Sequence, residues 1–212
     1  MFKEFCKFFN LEEIYISKND IESILNSTQK MATGFSVLFS NLQGNSFGDG
    51  LYRLYSLEDT EKWNNIILQA FPEFSNRISV FGYDWLGRQF ALDRGRIRDG
   101  QPQILMFEPG TADVLEIPCS FMDFHEDEIP NYNDACLASR FFKDWMSINP
   151  TILTDSECVG YKIPLYLGGK DVIDNLEKSD MEVYWTISAQ LMRQTKDLPE
   201  GAIVNRIEIS NQ

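Results

Sequence analysis

Between Arg77 and Pro118 the chain repeats one pattern: RISVFGYD, RQFALD, QILMFE and VLEIP are runs of β-branched, aromatic and aliphatic residues with a period near two. They are joined by WLG, by the polar RGRIRDGQ and by PGTAD, and connections this short between strands make an antiparallel meander. In PGTAD, Pro109-Gly110 suits the central positions of a type II turn. The first hairpin is FGYDWLGRQFALD, residues 81–93. Val80, Phe90 and Leu92 are expected on one face of it, and Gly87 supplies the positive φ that a tight turn after Trp85-Leu86 needs. Asp84 and Arg88 flank this turn and are placed to pair or to bond its backbone. Trp85 reads as an exposed turn aromatic, a candidate interface anchor.

Helical patterns surround the meander instead of alternating with its strands. Phe2, Phe5, Cys6 and Phe9, then Ile21, Ile24, Leu25 and Met31, mark two apolar stripes, the second capped by Asn19 or Asp20. GFSVLFS (34–40) and GLYRLYS (50–56) flank the glycine-rich NLQGNSFGDG and read as strands joined by a turn. Ser56-Leu-Glu-Asp59 opens a helix carrying Trp63, Ile66, Ile67 and Ala70, which stops before Pro72. Ser120-Phe-Met-Asp123 opens another, and Asn133 or Asp134 caps a helix bearing Leu137, Phe141, Trp145 and Met146 up to Asn149-Pro150. GYKIPLYLGG, the mixed segment MEVYWTISAQLMRQ and a closing strand AIVNRIEI complete the chain. Segregated helices and strands predict an α+β fold with a mainly antiparallel sheet. Residues 72–76 and 149–157 are the best seams, neither of them a flexible tether.

Several functions are disfavoured at once. With Lys and Arg totalling 19 against 32 Asp and Glu, the net charge is −13. Such a surface repels phosphates, arguing against direct nucleic-acid or membrane binding and favouring encounter with a basic protein. No apolar run reaches the length of a membrane span, and MFKEFCKFF has charges where a signal peptide has a clean core, so a cytoplasmic protein is expected. Cys6, Cys119, Cys136 and Cys158 are scattered, predicting four reduced thiols and no zinc site or disulfide framework.

Catalytic constellations are weak throughout. His125, the only histidine, sits in the acidic run DFHEDEIP. A metal or general-base site with Glu126 and Glu128 is less favoured than a solvated acidic helix end, because adjacent helical positions do not converge. There is no GxSxG elbow and no cysteine signature. LGGKD (167–171) lacks the spacing of a phosphate loop, so Gly168 and Gly169 read as a tight turn. Arg94, Arg96 and Arg98 have no interleaved aromatics and read as a solvated loop.

Taken together, FGYDWLGRQFALD, EPGTADVLEIP and ECVGYKIPLYLGGKDVIDNLEKSDMEVYWTISAQ resemble the C-terminal domain of immunity proteins associated with type VI secretion DNase effectors. That domain is often preceded by a GAD-related region and is similar to the SUKH superfamily of bacterial immunity proteins. The resemblance spans residues 47–200, most specifically 81–93 and 157–185, and is loose over 1–46. It implies a SUKH-like α+β protein with no catalytic residues, cofactor or metal, which protects its cell by binding a cognate toxin. It also implies a GAD-related region over 1–76 and an immunity region over 77–212, in one compact unit. The matching positions are Gly82, Tyr83, Asp84, Gly87 and Phe90, then Pro109 and Gly110, then Gly160, Tyr161, Pro164, Leu167, Gly168, Gly169, Asn175 and Trp185. Because toxin specificities in such families are diverse, these shared positions are expected to hold the fold.

If the toxin is a nuclease, its substrate cleft is basic, and an acidic protein associates with it quickly. Glu126, Asp127 and Glu128 are the expected contacts, with Asp49, Asp123 and Trp85 beside them. The alternative is a ligand-binding, regulatory or scaffold protein on the same fold, with Tyr83, Trp85 and Tyr161 around a pocket.

Overall fold

The computed structural model describes residues 1–14 and 21–199. Six consecutive antiparallel strands form one meander: β1 (Ser46–Phe47), β2 (Tyr52–Leu54), β3 (Ile78–Asp84), β4 (Gln89–Arg98), β5 (Gln101–Glu108) and β6 (Asp113–Ser120). The α+β, mainly antiparallel architecture expected from sequence is the one found. The four predicted strands are β3 to β6, and β4 runs on through Arg98, so RGRIRDGQ is mostly strand with a bulge after Asp93. Arg96 is correspondingly drawn in, donating to the Ile104 carbonyl and to Gln103 Oε1, both at 3.2 Å.

Both faces of the sheet are covered, which explains why β3 and β5 are almost continuously buried. On one face Phe90, Leu92, Ile104 and Met106 meet α1 (Lys3–Phe8), α2 (Ser27–Met31), α3 (Phe35–Leu42) and the helical run α5 (Phe121–Asp123), α6 (Ile129–Leu137) and α7 (Ser139–Ile148). On the other, Val80, Ala91, Leu105 and Phe107 meet α4 (Leu57–Ala70) and α8 (Met181–Thr195). Val80 is thus not a face-mate of Phe90 and Leu92. It pairs with Ala91, and a bulge at Phe81 shifts the register between Val80 and Gly82. A hairpin of β7 (Glu157–Tyr161) and β8 (Leu176–Asp180) closes one end, where Val159 N–H donates to Trp85 O at 2.7 Å.

Three local expectations change. GFSVLFS folds as α3, a helix entered through Gly34 at φ 84, because Phe35, Leu38 and Phe39 at helical spacing bury one stripe against the sheet. The second stripe becomes helical only at Ser27, where Asn26 Oδ1 accepts from Thr28 and Gln29 N–H in a capping box. Its expected caps Asn19 and Asp20 lie outside the described residues, as does AIVNRIEI. The helix expected from Asn133 or Asp134 is split at Ala138, which takes a left-handed φ of 50° between α6 and α7. Asp134 does cap at a distance, accepting from Arg140 N–H at 2.9 Å and Nε at 2.6 Å.

The start of α4 is as read: Ser56 Oγ accepts from Asp59 N–H, and Trp63, Ile66 and Ile67 are buried. In the β5–β6 connection the left-handed residue is Ala112 (φ 61°), not Gly110. What Gly110 provides is close approach, since a Cβ there would sit 2.6 Å from the Tyr161 ring.

Candidate functional site

The helical run after β6 carries the candidate contact residues, and its shape follows from one local irregularity. Ser120 Oγ accepts from Asp123 N–H at 3.1 Å and starts the run. The chain then widens into a π-helical turn over Phe124–Glu128, closed by Ile129 N–H to the Phe124 carbonyl. The extra residue lets Phe121, Phe124 and His125 all face the core while Asp123 and Asp127 stay exposed. Such turns are uncommon and recur at functional sites.

The turn also sorts the acidic residues. Burial pushes the Glu128 carboxyl up from its ordinary range, and the nearby charges of Asp127 and Asp123 add to the effect, so these three carboxylates crowd one face. Asp127 accepts from Asn131 Nδ2 at 2.8 Å. Glu126 points away: its Oε1 is buried with no hydrogen-bond partner, and its charge adds to the upward push that burial gives the Cys6 thiol of α1. The expected trio of Glu126, Asp127 and Glu128 is therefore in mid-run, not at a helix end, and the structure groups Asp123 with Asp127 and Glu128 instead. Asp49 stands apart in a left-handed conformation (φ 59°), on the rim of a groove of about 270 Å³ lined by Phe8, Phe9, Phe142 and Lys143.

His125 is not solvated. It is fully buried, with Nδ1 2.8 Å from the Phe121 carbonyl and Nε2 3.0 Å from the Tyr52 hydroxyl. A carbonyl only accepts, so Nδ1 carries the proton and Nε2 accepts from Tyr52 O–H. Desolvation among Phe2, Phe5, Phe81, Phe121 and Phe124 pushes its pKa down to about 3, leaving a neutral core histidine. Among the described residues no group of three or more His, Cys, Asp or Glu side chains is placed to hold a metal ion.

The stretch 81–93 holds this helical run in place. Asp84 and Arg88 do pair: Arg88 Nε donates to Asp84 Oδ2 at 2.6 Å, and Asp84 Oδ1 accepts from the Leu86 and Arg88 amides at 3.0 Å. Arg88 Nη2 also donates to the Cys136 carbonyl at 3.1 Å, and Trp85 Nε1 to the Leu137 carbonyl at 3.0 Å. Two orphan carbonyls at the end of α6 are satisfied by this hairpin turn, one of them by a cation suited to a helix C-terminus. Gly87 has the expected positive φ of 75°, and its carbonyl accepts from Trp185 Nε1 of α8 at 2.7 Å.

Trp85 is consequently fully buried, packed against Phe141, Phe142 and Trp145, and not an exposed anchor. The expected pocket of Tyr83, Trp85 and Tyr161 does not form either. Tyr83 lies in the opposite core from the other two and borders, with Tyr55 and Trp63, a polar cleft of about 220 Å³.

Glu108 is the site residue that sequence reasoning missed. Its Oε1 accepts from Gly110 N–H at 3.0 Å, and its Oε2 lies 3.6 Å from Arg88 Nε. Burial pushes its pKa up to about 7, Asp84 adds to that, and Arg88 opposes it. The available signal was one carboxylate ending the otherwise apolar QILMFE immediately before a turn.

The glycine pair behaves as read: Gly168 has φ 89°, and a Cβ on Gly169 would overlap the Ile163 carbonyl. The four cysteines are free thiols, all but Cys119 buried.

Residues 120–192 match the family described as T6SS immunity protein Tdi1, C-terminal. Over this stretch, about a third of the chain, the protein is similar to Tdi1-type immunity proteins. The Tdi1-type region begins at the cap of the acidic run and ends in α8; β3 and β4, with their 81–93 motif, precede it and bind it through Cys136, Leu137, Val159 and Trp185. The crystal structure of Atu4351 from Agrobacterium tumefaciens shares the fold, with a TM-score of 0.57 over 90% of this chain and 89% of that one at 15% identity. No curated relative matches. Among the described residues no helix is long and apolar enough to cross a membrane.

Proposed function

We propose that this protein is a type VI immunity protein that neutralises a cognate nuclease by direct binding, without catalysis of its own, and acts in the cytoplasm. The observation that carries the reading is that the Tdi1-type region bears the crowded carboxylates of Asp123, Asp127 and Glu128 on a chain of net charge −13. A nuclease presents a basic cleft to its substrate, and an acidic face steers the encounter with it. Nucleic acid and membranes are not direct partners in this scheme, since the charge that attracts the toxin repels both.

The test is to express the product of the neighbouring open reading frame with and without this protein, scoring survival and chromosomal integrity. Killing with DNA breakdown, reversed by co-expression, is the expected result. A harmless neighbour, or death regardless of this protein, overturns the reading; rescue with DNA intact in the dying cells overturns only the nuclease assignment.

A further inference from the structure

The connection between β7 and β8 is far longer than the hairpin needs. Tyr161 and Leu176 are paired neighbours, a separation that about two residues can close, yet residues 162–175 intervene. The insertion is a compact loop with adjoining ends and little regular structure, a type frequently used for function.

Its backbone is unusually well tied down. Lys162 N–H donates to Asn175 O at 2.7 Å across the neck. The Asn175 side chain then bonds the loop three times: Oδ1 accepts from Ile163 N–H at 3.1 Å, and Nδ2 donates to Ile163 O at 2.8 Å and Lys170 O at 2.9 Å. Gly169 N–H closes onto Pro164 O at 3.0 Å, Leu165 N–H anchors the loop to Gly110 O at 2.8 Å, and Tyr161 O–H donates to Asp171 Oδ1 at 2.7 Å. Against this fixed backbone Ile163 and Val172 are held outward, 54% and 45% exposed. Asn175 ties the backbone at Ile163 to that at Lys170, two residues from Val172, so both aliphatic side chains belong to one stapled unit.

We propose that residues 162–175 form a preorganised recognition loop through which the protein grips its toxin, Ile163 and Val172 entering an apolar depression on the toxin surface. The proposal rests on the immunity reading, because a protein partner is what the similarity of residues 120–192 to an immunity family suggests. A rigid loop loses little freedom on binding, so two aliphatic side chains suffice to matter. The loop's charges, Lys162 and Lys170 against Asp171 and Asp174, balance. Its contact is therefore apolar and slows dissociation, whereas the acidic face acts on association. Asn175 is a positioning residue in this scheme, and the glycine pair is required by the loop's closure.

Binding of the purified product of the neighbouring open reading frame is measured by surface plasmon resonance at two salt concentrations, with melting temperatures in parallel. The variant Ile163→Asp/Val172→Asp is expected to dissociate about tenfold faster or more at both salts, with unchanged melting temperature. Asn175→Ala, which leaves both contacting side chains in place, is expected to speed dissociation together with hydrogen exchange of the loop amides. If the wild-type protein binds and the double variant dissociates within twofold of it, the loop proposal is overturned while the immunity reading stands. Absence of binding by the wild-type protein overturns both.

Discussion

At the scale of single residues, the buried polar groups carry the clearest consequences. Trp85 fills a core position and donates to Leu137 O. Trp85→Ala is expected to cost about 3–5 kcal/mol in urea unfolding, and Trp85→Phe about 1–3 kcal/mol, because the carbonyl is left unpaired. Two groups set opposite pH trends. His125 has a folded pKa of about 3 against an ordinary 6.5, so its stabilising contribution is present above pH 6.5 and is lost as pH falls toward 3. Glu108 has a folded pKa of about 7 against 4.5, so its contribution is present below pH 4.5 and is lost as pH rises through 7. Glu108→Gln retains an acceptor for Gly110 N–H and cannot ionise. Its melting temperature relative to wild type is expected to rise between pH 5 and pH 8; a constant difference would refute this account of Glu108.

At the scale of elements, the helical run from Ser120 to Ile148 combines a π turn, a left-handed break and an anchored end. Ala138 takes φ 50° at the break, a conformation costing a non-glycine residue about 1–2 kcal/mol. Ala138→Gly is therefore expected to raise unfolding stability by several tenths to about 1 kcal/mol, measurable from the denaturant midpoint. The acidic face makes a kinetic prediction. Replacing Asp123, Asp127 and Glu128 by Lys should slow association with the proposed toxin by about tenfold or more at low salt, converging with wild type at high salt. Equal on-rates at low salt would remove these residues from the interface without touching the immunity proposal.

At the scale of the whole molecule, the sheet runs from the first strands into the meander without interruption, β2 pairing with β3 across the connection that contains α4. Phe2 and, in α1, Phe5 pack on His125, and Tyr52 bonds it, so the first third of the chain seals the core beneath the acidic run. A fragment starting at residue 77 would expose that core, and we expect it to lack a cooperative thermal transition by circular dichroism. A fragment melting like the full chain would instead establish residues 77–212 as a self-sufficient unit.

Local chemistry made much of this molecule readable from sequence. The period-two runs of β3 to β6, the Ser56 and Ser120 caps, the Asp84–Arg88 pairing and the positive φ at Gly87 depend on neighbours a few residues away, and all are found. What depended on distant partners was decided only by the fold. GFSVLFS satisfies a strand pattern as well as a helical one, and packing against the sheet chose the helix. Trp85 resembles an exposed turn aromatic until α7 covers it, and His125 a surface histidine until a π turn rotates it inward beside α1. Val80 changed faces through one bulge, and Glu108 gained its significance from Arg88 two strands' worth of chain away. Alternation and capping are written into adjacent residues. Burial, and with it the pKa of every core polar group here, is a property of which surfaces meet.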